Sequence, residues 1–263
     1  MTEMRLTHIG GPTVLIEMGE WRLLTDPTFD PPGRRYFFGL GTSSYKVAGP
    51  AMPANELPPI DAVLLSHDHH GDNLDDTGRA LLPSARTVIT TVSGARRLGG
   101  RARGLKPWAA TRLEAPGQPT IEITATPARH GPPFTRAITG DVIGFALTWK
   151  GQRHGALWIS GDTVLYDDVR RIPDRLQVGT ALLHLGGVRF PVTGPIRYTM
   201  TAADAVELCG LIRPHTAIPI HYEGWHHFRQ SRESMERDFA AAPPDIRDRI
   251  RRLPIGVTTD VTA

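Results

Sequence analysis

Four short apolar runs, each followed within one to four residues by a side chain of metal-ligand type, constrain this chain more than any other feature in it. His67 follows AVLLS, His130 follows IEITATPA, Asp162 follows LWIS and His221 follows AIPI. Such runs read as β-strands. If they run the same way in their sheets, the four side chains converge on one edge, where α/β folds place their sites. The local contexts GDT and PIHY suit a side chain displayed at a strand end, Gly161 allowing a tight turn before Asp162.

The densest of these contexts is SHDHHGDNLD, residues 66–75. Three histidines and two aspartates within the six residues 67–72 leave little room for a packing role, because each imidazole or carboxylate would need its own buried partner. A solvated loop is the bland alternative to a metal site. In an extended segment, residues two apart point the same way, so His67 and His69 are expected to face one ion while Asp68 points elsewhere.

Length and composition bound the rest. A chain of 263 residues buries roughly 75% of its unfolded surface as a single domain. No apolar run approaches the ~18 residues of a membrane span. The start, MTEMRLTHIGGPTVLIEM, has neither the basic opening nor the apolar core of a signal peptide, so a cytoplasmic location is expected. Cys209 is alone and can neither form an internal disulfide nor build a thiolate metal site. The formal net charge is +3 and the lysines are Lys46, Lys106 and Lys150, so the positive charge is nearly all arginine. No basic run is interleaved with aromatics, which sets nucleic acid aside as a partner.

Along the chain, β-like runs at 4–9, 13–18 and 22–25 with intervening turn signals predict an antiparallel meander. The segment 26–60, rich in Pro, Gly and aromatics, reads as a loop over a pocket. Strands are then expected at 62–65, 87–90, 120–126, 142–149, 156–159, 181–185 and 217–220. Helices are expected at 75–82, at 201–212 from the capping pair Thr201 and Asp204, and across 229–252 with a break at Pro243 and Pro244.

SHDHHGDNLD, TPARH, ISGDT and PIHYEGW, in this order and after HIGGPTVLIEMGEWRLLTDPTF, resemble the metallo-β-lactamase superfamily, in particular the branch of ascorbate 6-phosphate lactonase and N-acyl phosphatidylethanolamine phospholipase D. The resemblance runs from about residue 5 to about residue 228. It implies an α/β fold, a four-layer αββα sandwich in one domain over 1–263, with a dinuclear metal site at one end of the sheets. By position, His67 and His69 match the first two ligands of the family's HxHxDH motif, His130 the third, Asp162 the carboxylate shared by both ions and His221 the terminal histidine. Asp72 matches the family aspartate if Gly71 is absorbed as a bulge. Asn73 stands where the family has histidine, a weaker ligand for Zn²⁺, so the second ion is held weakly unless His70 takes that place. Asp26 matches an acidic residue that would orient a ligand histidine, and His184 is either a core histidine or a pocket residue.

The implied activity is hydrolysis by a metal-bound hydroxide, with Asp72 and Asp162 as catalytic carboxylates and two divalent ions, Zn²⁺ or else Mn²⁺ or iron. The substrate class is a small anionic molecule with an ester, lactone or phosphodiester bond. Arg34, Arg35, Arg129, Arg136, Arg189 and Arg197 fall in segments that could border the site and bind its charge. A catalytically inactive ligand-binding or interaction module on the same fold is the alternative. The aromatics of 29–45 suit a homo-oligomer interface as well as a substrate pocket.

Overall fold

Two sheets face each other across a shared apolar layer. A computed structural model describes residues 4–39, 41–133, 135 and 139–262; Arg136 lies outside the described residues. Strands β1 (Met4–Gly10), β2 (Thr13–Met18) and β3 (Trp21–Thr25) form the antiparallel meander. β4 (Arg35–Gly39) and β5 (Thr42–Tyr45) pair as a hairpin inside the segment expected to be loop. The first sheet continues through β6 (Ala62–Leu64), β7 (Thr87–Thr91) and β8 (Ala102–Leu105), parallel to one another and to β3. The second sheet holds β9 (Ala110–Leu113), β10 (Ile121–Pro127), β11 (Ile143–Trp149), β12 (Ala156–Ile159), β13 (Val178–His184) and β14 (Thr216–Ile220), in the spatial order β14-β13-β12-β11-β10-β9. β15 (Thr258–Val261) pairs with β1 and covers that edge of the first sheet.

The period of two along each strand divides its side chains between two cores. In β12, Leu157 and Ile159 face the layer between the sheets while Ala156 and Trp158 face outward; β14 repeats this with Ile218 and Ile220 against Ala217. The inner layer brings Leu6, Ile16, Leu23 and Leu64 of one sheet against Ile123, Phe145 and Leu182 of the other. Helices cover the outer faces. Leu81 and Leu98, from α1 (Asp76–Leu81) and α2 (Val92–Leu98), pack with Val63 and Val88 of the first sheet. α3 (Asp167–Arg170), α4 (Ala202–Ile212), α5 (Arg232–Ala240) and α6 (Pro244–Arg247) cover the second sheet, Leu208 and Phe239 joining Trp158 and Leu183. This is the αββα sandwich. Among the described residues no helix is long and apolar enough to cross a membrane.

The legible helix start was Thr201: its side chain accepts the Asp204 N–H and Asp204 accepts the Thr201 N–H, closing the capping box. What escaped was β8, β9 and β15, which each bury a single side chain. Backbone pairing holds such strands, so they carry no alternating apolar signal.

Strand direction decides where the site lies. β10 and β12 are both antiparallel to β11, and β12, β13 and β14 are mutually parallel, so β10, β12, β13 and β14 run the same way. His130, Asp162, His184 and His221 therefore emerge at one edge of the second sheet.

Candidate metal centre

The chain leaves β6 at Leu65 and does not stay extended. The N–H groups of Asn73 and Leu74 both donate to the His70 carbonyl, which folds residues 70–74 into a turn. Asp68 is buried and accepts two hydrogen bonds from Arg97 at 2.8 and 2.6 Å. Burial would raise its carboxyl, but Arg97 outweighs burial and holds it below the usual range. His69 goes with Asp68: its ring lies beside Arg97 and is packed against Gly140, where any Cβ would sit 2.2 Å from the imidazole. The two-residue alternation predicted for His67 and His69 does not operate because the chain bends at Asp68 and His69. Residues 67 and 70 meet instead.

His67 Nε2 and His130 Nε2 lie 3.3 and 3.2 Å from His70 Nδ1. His130 Nδ1–H donates to the Tyr198 carbonyl at 2.8 Å, which leaves the Nε2 lone pair facing inward. His67 Nδ1 is hydrogen-bonded to Ser66 Oγ at 3.0 Å. Burial pushes His67 well below its ordinary value and His70 down to about 3, so both rings are neutral near pH 7. One hydrogen on His70 Nδ1 can satisfy only one of its two neighbours. An electron-rich vertex of three imidazoles is left, a cation site in its donor chemistry.

A second group joins Asp162, His184 and His221. Asp162 Oδ1 accepts from His184 Nδ1 at 2.9 Å and lies 3.6 Å from His221 Nδ1. Asp72 Oδ2 is 3.5 Å from His221 Nε2 and 2.9 Å from His227 Nε2. Burial opposes ionisation of Asp72, but the adjacent His221 and the His227 hydrogen bond outweigh it and hold the carboxyl well below its ordinary value. Burial is likewise outweighed at Asp162, by the charge of His221 and the His184 hydrogen bond. His221 is lowered by burial but lifted further by Asp162 and Asp72, to about 9. Its backbone is left-handed, with φ +57°, a conformation that costs an ordinary residue about 1 kcal/mol or more and persists where surroundings enforce it. The His221 N–H donating to the Gly11 carbonyl at 2.8 Å is part of that enforcement.

Asp26 stands behind this group. Its Oδ1 accepts the Ser66 N–H at 2.7 Å, and its Oδ2 is 3.9 Å from His184 Nε2. Burial raises its carboxyl well above the ordinary range. Asn73 is fully buried, its amide donating to Ser66 Oγ at 3.4 Å and its Oδ1 unmet.

The test of fit for metal ions is the set of buried polar atoms without a partner. His70 Nε2, Asp72 Oδ1, Asn73 Oδ1, Asp162 Oδ2, His184 Nε2 and His221 Nε2 are all unpaired. Each such atom costs about 1–3 kcal/mol, and six in one place are tolerable only if a ligand supplies what they lack. A carboxylate and imidazole set without thiolate fits Zn²⁺, Mn²⁺ or iron.

Nothing in the local sequence singles out His227. It is buried, donates or accepts at Ser44 Oγ with Nδ1 at 2.7 Å, and stacks on Phe190 at 5.1 Å. Its link to Asp72 is a contact 155 positions apart in the chain that no local signal announces. The hairpin missed in the aromatic segment completes the wall, Phe38 lying 5.3 Å from His70 and 4.8 Å from His227. Its exposure alternates, with Tyr36 and Phe38 buried between exposed Arg35, Phe37 and Gly39. Gly71 is required here: a Cβ would sit 2.5 Å from the Tyr36 ring.

A cleft of about 670 Å³ opens beside the centre, and His130 belongs to its wall. Of the arginines expected to border the site, Arg129 lines this cleft. Arg34 is paired with Asp30 and Asp76, Arg197 with Asp204, and Arg35 with Ser43.

Residues 21–222 match the family model of the β-lactamase superfamily domain. A UPF0173 metal-dependent hydrolase of Deinococcus radiodurans is 34% identical over 223 residues, covering 83% of this chain and 84% of that protein. The isothiocyanate hydrolase from Delia radicum gut bacteria superposes with a TM-score of 0.78 at 21% identity, over 99% of this chain and 100% of that one. A metallo hydrolase of the archaeon Ignicoccus hospitalis does so with a TM-score of 0.68 at 21% identity, over the whole of both chains. These two likenesses concern the fold. With the family model matching most of its length and a relative at this identity, the chain belongs to the β-lactamase superfamily, among the metal-dependent hydrolases.

Proposed function

We propose that this protein holds two divalent ions, Zn²⁺ in the first instance, and hydrolyses an ester, lactone or phosphodiester bond of a small anionic molecule. The observation that carries the reading is the pair of buried groups, three imidazoles that share too few hydrogens and an Asp–His set with Asp162 Oδ2, His184 Nε2 and His221 Nε2 unpaired. In this reading His67, His70 and His130 would hold one ion and Asp162, His184 and His221 the other. His70 thus takes the place that the family motif gave to His69. Bound as a pair, the ions would acidify a water molecule and draw charge from the oxygen of the scissile group.

The chain's own residues do the rest. Asp72 is kept ionised by His221 and His227, and its unpaired Oδ1 would take a proton from the attacking water. His227 and Ser44 fix the orientation of that carboxylate. Phe38, Phe190 and Trp225 shield the His70 and His227 side of the centre from bulk water, which strengthens the electrostatic interactions inside.

Elemental analysis of the freshly purified protein tests the metal content. A value near two ions per chain is expected, and a value near zero that added metal does not raise would overturn the reading. Turnover of generic esters and bis-phosphodiesters with added Zn²⁺ or Mn²⁺ should vanish in His130→Ala; turnover that survives that substitution rules out the mechanism.

A further inference from the structure

The cleft beside His130 has a charge pattern that the ligand groups do not explain. It lies where the end of β8 approaches the segment after β10, with Leu105, Val142 and Ile143 among its apolar wall residues. Among the described residues three cations, Arg96, Lys106 and Arg129, line it against one acid, Asp141, which already accepts a hydrogen bond from Ser93 Oγ at 2.8 Å. Arg129 is fixed in place, its guanidinium 4.2 Å over the Tyr166 ring and its Nε donating to the Gly131 carbonyl. Arg96 and Lys106 make no ion pair among the described residues. A volume near 670 Å³ is that of a pocket for a ligand of tens of atoms, larger than a phosphate or a short acid needs.

We infer that this cleft binds the non-reacting part of the substrate: an apolar aryl or alkyl body carrying one anionic group, which Arg96 and Lys106 hold while Arg129 adds a fixed positive charge. The inference rests on the hydrolase reading above and narrows its substrate class. Guanidinium and ammonium groups at an apolar cleft bind carboxylate or phosphate through charge-assisted hydrogen bonds. His130 lies both in the cleft wall and in the imidazole group, so a molecule seated there reaches the centre with its other end.

The test separates the cleft from direct binding of the anion to metal. The metal-loaded protein is titrated by calorimetry with phenylhexanoate and with its neutral amide. The carboxylate is expected to bind tighter by about tenfold or more, and the ratio should fall to about two or less in the double variant Arg96→Ala, Lys106→Ala with metal content unchanged. Arg103→Ala, a surface substitution outside the cleft, should keep the wild-type ratio. Protein stripped of metal by a chelator should also keep it. Equal affinities in the wild type, a preference that survives the double substitution, or one that disappears with the metal would each overturn the inference. If the preference is present and lost in the double variant while no ester is cleaved, the cleft stands and the hydrolase reading fails.

Discussion

The β4–β5 hairpin and the metal centre each bury a cluster of polar side chains, and the two clusters differ in how completely they are paired. Under the hairpin, Lys46 Nζ donates to Asp75 Oδ2 at 2.9 Å, and Asp75 also accepts the N–H groups of Asp30 and Gly78. Asp30 in turn accepts from Tyr36 Oη at 2.6 Å and from both the N–H and the hydroxyl of Thr77. None of these side chains has an orphaned buried atom, whereas the centre beside it has six. A fully paired buried network stabilises and fixes one conformation; a partly paired one is a liability unless something else fills it. The first cluster is therefore scaffold, positioning Phe38 against His70 and His227, and the second is prepared for a ligand.

Substitutions should expose that difference, the largest effect first. Asp162→Ala should lower turnover by more than about a thousandfold, several kcal/mol of lost charge stabilisation, with elemental analysis dropping to one ion or fewer; unchanged metal content would remove Asp162 from the ligand set. Asp75→Ala should cost about 3–5 kcal/mol in denaturant unfolding, because it strands the buried Lys46 ammonium and removes the α1 cap. A loss under 1 kcal/mol would show that the scaffold network is not holding the hairpin. His227→Ala should lower kcat about 10–100-fold at unchanged metal content, with His227→Gln recovering part of the loss; equal turnover in all three proteins would confine His227 to packing.

Two smaller effects sharpen the contrast. In metal-free protein, His70→Leu should cost about 1–3 kcal/mol, since it leaves His67 Nε2 and His130 Nε2 without their shared neighbour. Metal added at about a hundred times its dissociation constant should then stabilise the wild type by roughly 2.7 kcal/mol and this variant much less. Asp30 supplies the smallest effect. Burial would raise its carboxyl, but the Thr77 and Tyr36 hydrogen bonds outweigh it and hold it below its ordinary value. Its ionised form therefore adds stability that is complete above the unfolded pKa of about 3.9 and lost as pH falls through the lower folded value. Tyr36→Phe should raise the Asp30 titration midpoint, followed by NMR, and remove about 1 kcal/mol at neutral pH; an unmoved midpoint would mean that the Tyr36 hydroxyl does not hold this carboxylate.

Much of the centre could be read before any coordinates. Strand ends advertise themselves when an apolar run stops at a polar residue, and His67, His130, Asp162 and His221 each did so. His184 gave a weaker signal, because a histidine inside ALLHLGG reads equally as core; it is fully buried and also at the centre. Arg96 and Lys106 gave none, since an exposed cation has the same local sequence whether it faces bulk water or a cleft.

The sequence by itself determined most of the core strands and the helices that cover them, the family, and the residue types delivered to one edge of the second sheet. Those follow from local periodicity and from short-range turn and capping chemistry, which neighbouring residues specify. Only the tertiary structure decided which histidines face each other. The bend at 68–69, followed by the turn at 70–74, leaves His69 beside Arg97 and His70 against His67 and His130, and His227 reaches Asp72 through a loop that the aromatic hairpin holds in place. Those contacts join residues far apart in the chain, or depend on a backbone turn that reverses the alternation of a strand, so composition and spacing carry no record of them.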